Sequence, residues 1–278
     1  MSVPQLLGPL ERRRGEHADA PGTTEVAVPD GPALIRRKGS GAPYLWLHGT
    51  HFAGSWLPFH EQLAQRLDVV YPLHPGFVEG WPPGWLRGFD DLVLHYRDLL
   101  DALGLERIHV GGHALGGRIA ANLAVFYPER VASLTLLSPF GLRVEDRPMV
   151  DFMAIDPERL GELLFNDDAD ELSEVLPDFD DPHEFARWYG ENGVTARLMW
   201  ERRYDVGLER RLARVGMPAL VLAPSEDRLL PVAHAERWAE VLPAGRLATV
   251  PNTGHALLVQ APDEVSASVL AFVEEAGA

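Results

Sequence analysis

Apolar residues along this chain fall into short blocks separated by polar stretches rich in glycine and proline. Tyr44–Leu47, Val69–Pro72, Ile108–Gly111, Leu134–Leu137, Ala219–Ala223 and Leu247–Val250 are such blocks. Short apolar runs bounded by turn residues fit strands buried on both faces. Between them the period lengthens. Phe89–Leu103 places Leu92, Val93, Tyr96, Leu99, Leu100 and Leu103 three or four residues apart, as one face of a helix requires. Gly116–Tyr127, Ala233–Leu242 and Pro262–Glu275 read as further helices, the last opening on a first-turn proline. Two shorter runs, Glu25–Val28 and Ala33–Arg37, flank the turn signal Pro29-Asp30-Gly31. Strands alternating with helices predict an α/β fold with a mostly parallel, doubly wound sheet.

The alternation stops after Phe140. Residues 141–208 are acidic, contain helical fragments and no strand-like run, and hold Phe152, Phe165, Phe179, Phe185, Trp188, Tyr189, Trp200 and Tyr204. This segment is expected to be a helical cap over a core made of residues 24–140 and 209–278. Residues 1–23, polar and broken by Pro4, Gly8, Gly15, Pro21 and Gly22, are expected to form a loosely held leader.

Composition narrows the chemistry. A chain of 278 residues with 46% hydrophobic residues can bury a sizeable core. It contains no cysteine, which removes disulfides, thiolate nucleophiles and cysteine-ligated metals. The histidines lack the H-E-x-x-H spacing, so no metal is expected, and no cofactor. A formal net charge of −16 argues against nucleic acid as a partner. No apolar run reaches eighteen residues, so no membrane span is expected. The absence of a secretory pattern makes the cytoplasm the expected compartment.

The most informative stretch is Ile108-His109-Val110-Gly111-Gly112-His113-Ala114-Leu115-Gly116-Gly117. A buried strand runs into a glycine-flanked turn and then an alanine-rich helix. A sharp strand-to-helix turn of this kind presents its central residue on a strained backbone, with small residues two before and two after. The following helix N-terminus aims backbone N–H groups at developing negative charge. In this pattern the chain resembles the α/β-hydrolase superfamily, whose nucleophile elbow reads G-x-S-x-G, across about residues 24–276. Ala114 stands where that family has serine, and a methyl group cannot attack a carbonyl.

The resemblance extends to other loops. Asp227, in Pro224-Ser225-Glu226-Asp227-Arg228, matches the family's acid, and His255, in Pro251-Asn252-Thr253-Gly254-His255, matches its histidine. Each follows a predicted strand, in the family order. His255 is thereby expected to act as general base, with Asp227 holding its tautomer. His48-Gly49-Thr50-His51 resembles the family's H-G-x loop, which implies an oxyanion hole from the backbone N–H groups of Thr50 and Leu115. His51 and His113 are candidates to line the pocket, although satisfied structural roles suit them better than catalysis. From the cap, Trp188, Tyr189, Trp200 and Tyr204 are candidate substrate contacts. They suggest an apolar or ring-bearing small molecule as the partner.

The expected activity is cleavage of an apolar carboxylic ester, lactone or thioester through an acyl-enzyme, by a serine-type enzyme present here as an inactive nucleophile-to-alanine form. The intact acid, histidine and H-G loop favour an active parent altered at one position over a natural non-catalytic ligand-binding protein. Epoxide or C–C bond hydrolysis on the same fold stays open as a third reading. Leu115 and His51, where the aspartate-nucleophile families carry an aromatic residue and a proline, count against the first of these. Oligomeric state does not follow from the sequence.

Overall fold

The computed structural model describes residues 17–77, 80–155, 157–168, 175–200 and 203–277; most of the expected leader lies outside them. Eight strands form one sheet: β1 (Thr23–Val26), β2 (Ala33–Lys38), β3 (Ala42–Leu47), β4 (Leu67–Pro72), β5 (Ile108–His113), β6 (Val131–Leu137), β7 (Ala219–Pro224) and β8 (Gly245–Val250). The spatial order is β1-β2-β4-β3-β5-β6-β7-β8. Only β1 with β2 and β2 with β4 pair antiparallel; every pair from β4 to β8 is parallel. Parallel neighbours need crossovers, and the helical periods supply them.

The helices are α1 (Pro58–Ala64), α2 (Phe89–Ala102), α3 (Leu115–Phe126), α4 (Pro157–Phe165), α5 (Pro182–Met199), α6 (Leu208–Leu212), α7 (Ala233–Val241), α8 (Leu257–Gln260) and α9 (Pro262–Gly277). Their starts are chemically marked. The Asp91 carboxylate accepts the amides of Arg87 and Gly88 ahead of α2, at 2.7 and 3.0 Å. Asp181 accepts from His183 N at the start of α5, where Pro182 occupies the first turn. The eight expected strands and four expected core helices are present with ends shifted by a few residues. α1 and α8 carried no clear periodic signal because each is only four to seven residues long.

The 141–208 segment is helical among its described residues and contains no strand. It leaves the sheet after β6 and rejoins it where Asp205 N donates to Gly141 O, closing the excursion at its base. Arg118 of α3 underpins that closure. Its guanidinium is buried over the Phe89 ring at 3.8 Å, lies 3.8 Å from Asp205 and donates to Arg203 O. At the other end of the described chain, His17 N donates to Trp56 O, and Asp19 O accepts from the Lys38 ammonium. Among the described residues no helix is long and apolar enough to cross a membrane.

Candidate active site

The corner at the C-terminal end of β5 is built by glycines. Ala114 has φ 49° and ψ −106°, a conformation that costs a non-glycine residue roughly 1–3 kcal/mol. Its N–H is held by Leu137 O of β6 at 2.9 Å. A Cβ on Gly112 would lie 2.4 Å from the Gly116 carbonyl, and one on Gly116 would lie 1.9 Å from Leu47 O. Both sites therefore exclude any side chain, and the sharp turn follows from that exclusion. Leu115 opens α3, so its N–H belongs to the first turn, where helical N–H groups lack intrahelical partners.

Asp227 and His255 are brought together. His255 Nδ1 lies 2.8 Å from Asp227 Oδ2, and both side chains are nearly inaccessible, at 3% and 1%. The other carboxylate oxygen, Oδ1, accepts the backbone amides of Leu229 and Leu230 at 2.9 and 2.7 Å. The carboxylate is thus fixed on one side and accepts the imidazole N–H on the other. That places the ring proton on Nδ1 and leaves Nε2 as a proton acceptor.

His113 joins this pair to the corner. Its Nε2 donates to the carbonyl of His255 at 2.9 Å, and the two rings lie 4.9 Å apart. Burial, reinforced by the neighbouring His255, pushes its pKa down to about 3, so it stays neutral. A Cβ on Gly49 would strike its Nδ1 at 2.6 Å, so the H-G loop packs directly on the same ring.

The H-G loop is set by histidines that hold one another. His48 Nδ1 donates to Gly49 O, and its Nε2 accepts from His74 N at 3.0 Å. His74 Nε2 donates in return to His48 O, while its Nδ1 accepts from the Tyr96 hydroxyl. Burial drives His74 down to about 3, so this ring, stacked on His48, is neutral too. The imidazole of His48 is thereby committed to shaping the loop. Thr50 and His51, which follow, are buried, and His51 has φ 74°.

A sequence model of the alpha/beta hydrolase fold family matches residues 45–262. The chain belongs to this family. Among its relatives is a protein named carbamate hydrolase RutD from Azorhizobium caulinodans, 31% identical over 249 residues, covering 85% of this chain and 93% of that one. Of solved structures, a bacterial membrane phospholipase A superposes with a TM-score of 0.76 at 23% identity, over 92% of this chain and 86% of the other. A serine-to-alanine mutant of the meta-cleavage product hydrolase from Pseudomonas fluorescens IP01, complexed with acetates, gives 0.73 at 19% identity, over 91% and 98%. These likenesses establish the α/β-hydrolase fold.

Within this alpha/beta hydrolase the residues of the 141–208 segment singled out from sequence separate into three groups. Trp188 stacks on the His51 ring at 6.3 Å, with Phe152 edge-on to the same ring at 6.3 Å. Tyr189 and Trp200 are 69% and 81% exposed and line a surface groove with Trp81, Pro82 and Arg87. They do not join the cluster around His51. The Tyr204 hydroxyl accepts from Met149 N, and its ring stacks on His234, which ties it to the base of the 141–208 segment.

Sequence reading missed the residues of the 141–208 segment that bond to the core loops. Glu191 Oε2 accepts from His51 N at 3.0 Å, and Thr195 Oγ1 lies 3.0 Å from Thr50 Oγ1. On the far side, Leu164 O accepts from Ala256 N, and Asn166 Nδ2 donates to Glu226 O. No sequence signal marks either residue: Glu191 is one acid among many in an acidic segment, and its burial shows only in the structure.

Proposed function

We propose that this alpha/beta hydrolase is built for acyl transfer from an apolar or ring-bearing carboxylic ester, lactone or thioester, and that Ala114 leaves it able to bind such a molecule but not to cleave it. The relatives named carbamate hydrolase extend the same chemistry to a carbamate carbonyl. The observation that carries this reading is the His255–Asp227 hydrogen bond beside an elbow whose strained central residue has no heteroatom.

With serine at position 114, His255 Nε2 would take the hydroxyl proton as Oγ attacks the substrate carbonyl carbon. The carbonyl oxygen, now negative, would be met by the N–H groups of Thr50 and Leu115. The imidazolium, stabilised by Asp227, would return its proton to the leaving group as the carbon–heteroatom bond breaks. Water, deprotonated by the same imidazole, would then release the acid and regenerate serine. Alanine removes the first bond-forming step and leaves the base, the carboxylate and the donors in place.

The test is Ala114→Ser, assayed with aryl-ester probes and titrated with an organophosphate. The expected result is ester cleavage, with the present chain slower by something on the order of 10⁴–10⁶-fold, and a stable phosphoryl adduct whose mass maps to residue 114. Equal rates for the two forms, or no adduct, would reject acyl transfer through this corner.

A further inference from the structure

Helix α5 touches the H-G loop at two consecutive residues, and both contacts are polar and buried. Glu191 and Thr195 are four residues apart on one face of the helix, with exposures of 1% and 0%. The Thr195 hydroxyl donates to Glu191 O at 2.8 Å, so its lone pairs are left to accept from the Thr50 hydroxyl. One turn earlier, the Glu191 carboxylate accepts the amide N–H of His51. His51 holds a left-handed backbone that a side chain disfavours, so this loop conformation needs outside support. Its ring is flanked by Trp188 of the same helix.

We infer that Glu191 and Thr195 are positioning residues that hold the Thr50–His51 segment in place, so that seating of the cap and readiness of the oxyanion donors are one event. A cap serving only as a cover would meet the loop through apolar surface. Here the backbone donor that directly follows Thr50 is itself bonded to the cap. A substrate that keeps α5 from seating would therefore meet a loop whose Thr50 N–H is misplaced, and would be rejected at the chemical step as well as at binding. Misplacement of a reacting group by about 1 Å lowers rate on the order of 100-fold.

The catalytic part of this inference rests on the acyl-transfer reading, so its test has two arms. In the present chain, amide hydrogen exchange over residues 50–53 is compared with that of Thr195→Val, Glu191→Leu and Thr195→Ser. Exchange is expected to be at least about tenfold faster in the first two and restored in Thr195→Ser. In the Ala114→Ser form, Thr195→Val is expected to lower kcat for an aryl ester by about 10- to 100-fold with KM within about twofold, and Thr195→Ser to recover it. Thr195→Val is nearly isosteric and decides the matter should Glu191→Leu fail to fold. Unchanged exchange in a folded Thr195→Val overturns the inference. So does a rise in KM with kcat intact, which would make α5 a substrate contact instead. Should Ala114→Ser prove inert, the acyl-transfer reading falls, and the exchange arm still judges the clamp.

Discussion

His113 Nε2 donates to the carbonyl oxygen of His255 across 2.9 Å, so the residue before the elbow's central position fixes the loop that carries the imidazole. The two loops are 142 residues apart in sequence. Their mutual placement rests on a neutral ring buried between them.

Replacing that ring should loosen the histidine loop. His113→Phe keeps an aromatic of similar breadth but removes the donor, leaving a carbonyl without its partner. The expected loss in unfolding free energy is about 1–3 kcal/mol, read from urea denaturation. In the Ala114→Ser form, kcat should fall as well. A midpoint equal to the parent's would show that the bond contributes nothing.

Asp227→Asn in the Ala114→Ser form tests the tautomer. The amides of Leu229 and Leu230 both require an acceptor, so the asparagine oxygen must occupy the Oδ1 place. Its NH₂ group then faces His255 Nδ1 and forces the ring proton onto Nε2, which can no longer accept one. A kcat loss on the order of 10⁴-fold is expected with the fold intact by circular dichroism. Retention of more than a tenth of the activity would mean that the ring is not held this way.

The core of this fold was legible because its strands are short, doubly buried and bounded by turn residues, and its helices carry a clean period. The central corner was legible because Gly112 and Gly116 must lack side chains for the chain to turn there. Asp227 and His255 were singled out because the loops that carry them, each directly after a strand, resemble the acid and histidine loops of the α/β-hydrolase family. The 141–208 segment yielded less. Aromatic side chains there announce burial without saying against what: Trp188 turned toward His51, while its neighbour Tyr189 turned to solvent. Glu191 and Thr195 belong to no sequence pattern, because their partners lie about 140 residues away and contribute only a backbone amide and a hydroxyl.

Gly116→Ala should be severely destabilising. The added methyl would lie 1.9 Å from Leu47 O and 2.5 Å from His48 O, both backbone atoms that cannot swing aside. A loss of about 3 kcal/mol or more is expected, seen as a Tm lower by roughly 6–12 °C. Gly117→Ala is the control: its nearest contacts, from 3.1 Å, include a Pro139 side chain, and its effect should be well under half as large.

Acid should destabilise the protein ahead of general carboxylate protonation. Burial pushes His60, His74 and His113 from about 6.5 down to about 3. Above pH 6.5 neither the folded nor the unfolded chain protonates them. Below it, the unfolded chain takes up protons that the folded one refuses, so stability falls with pH until about 3 is reached. Between pH 7 and 5 each should contribute about 2 kcal/mol of loss. Urea midpoints at constant ionic strength should drop accordingly, and a flat profile would show that these rings become charged in place.

The interlock of Gly112 with Gly116, backbone against backbone, has a consequence for what this corner can become. Nothing in that interlock, or in the bond from Leu137, touches the side chain at position 114. The geometry is thus indifferent to its tip. Exchange of alanine for serine there is expected to leave the turn's backbone in place, so that on the acyl-transfer reading a single codon separates reacting from folding.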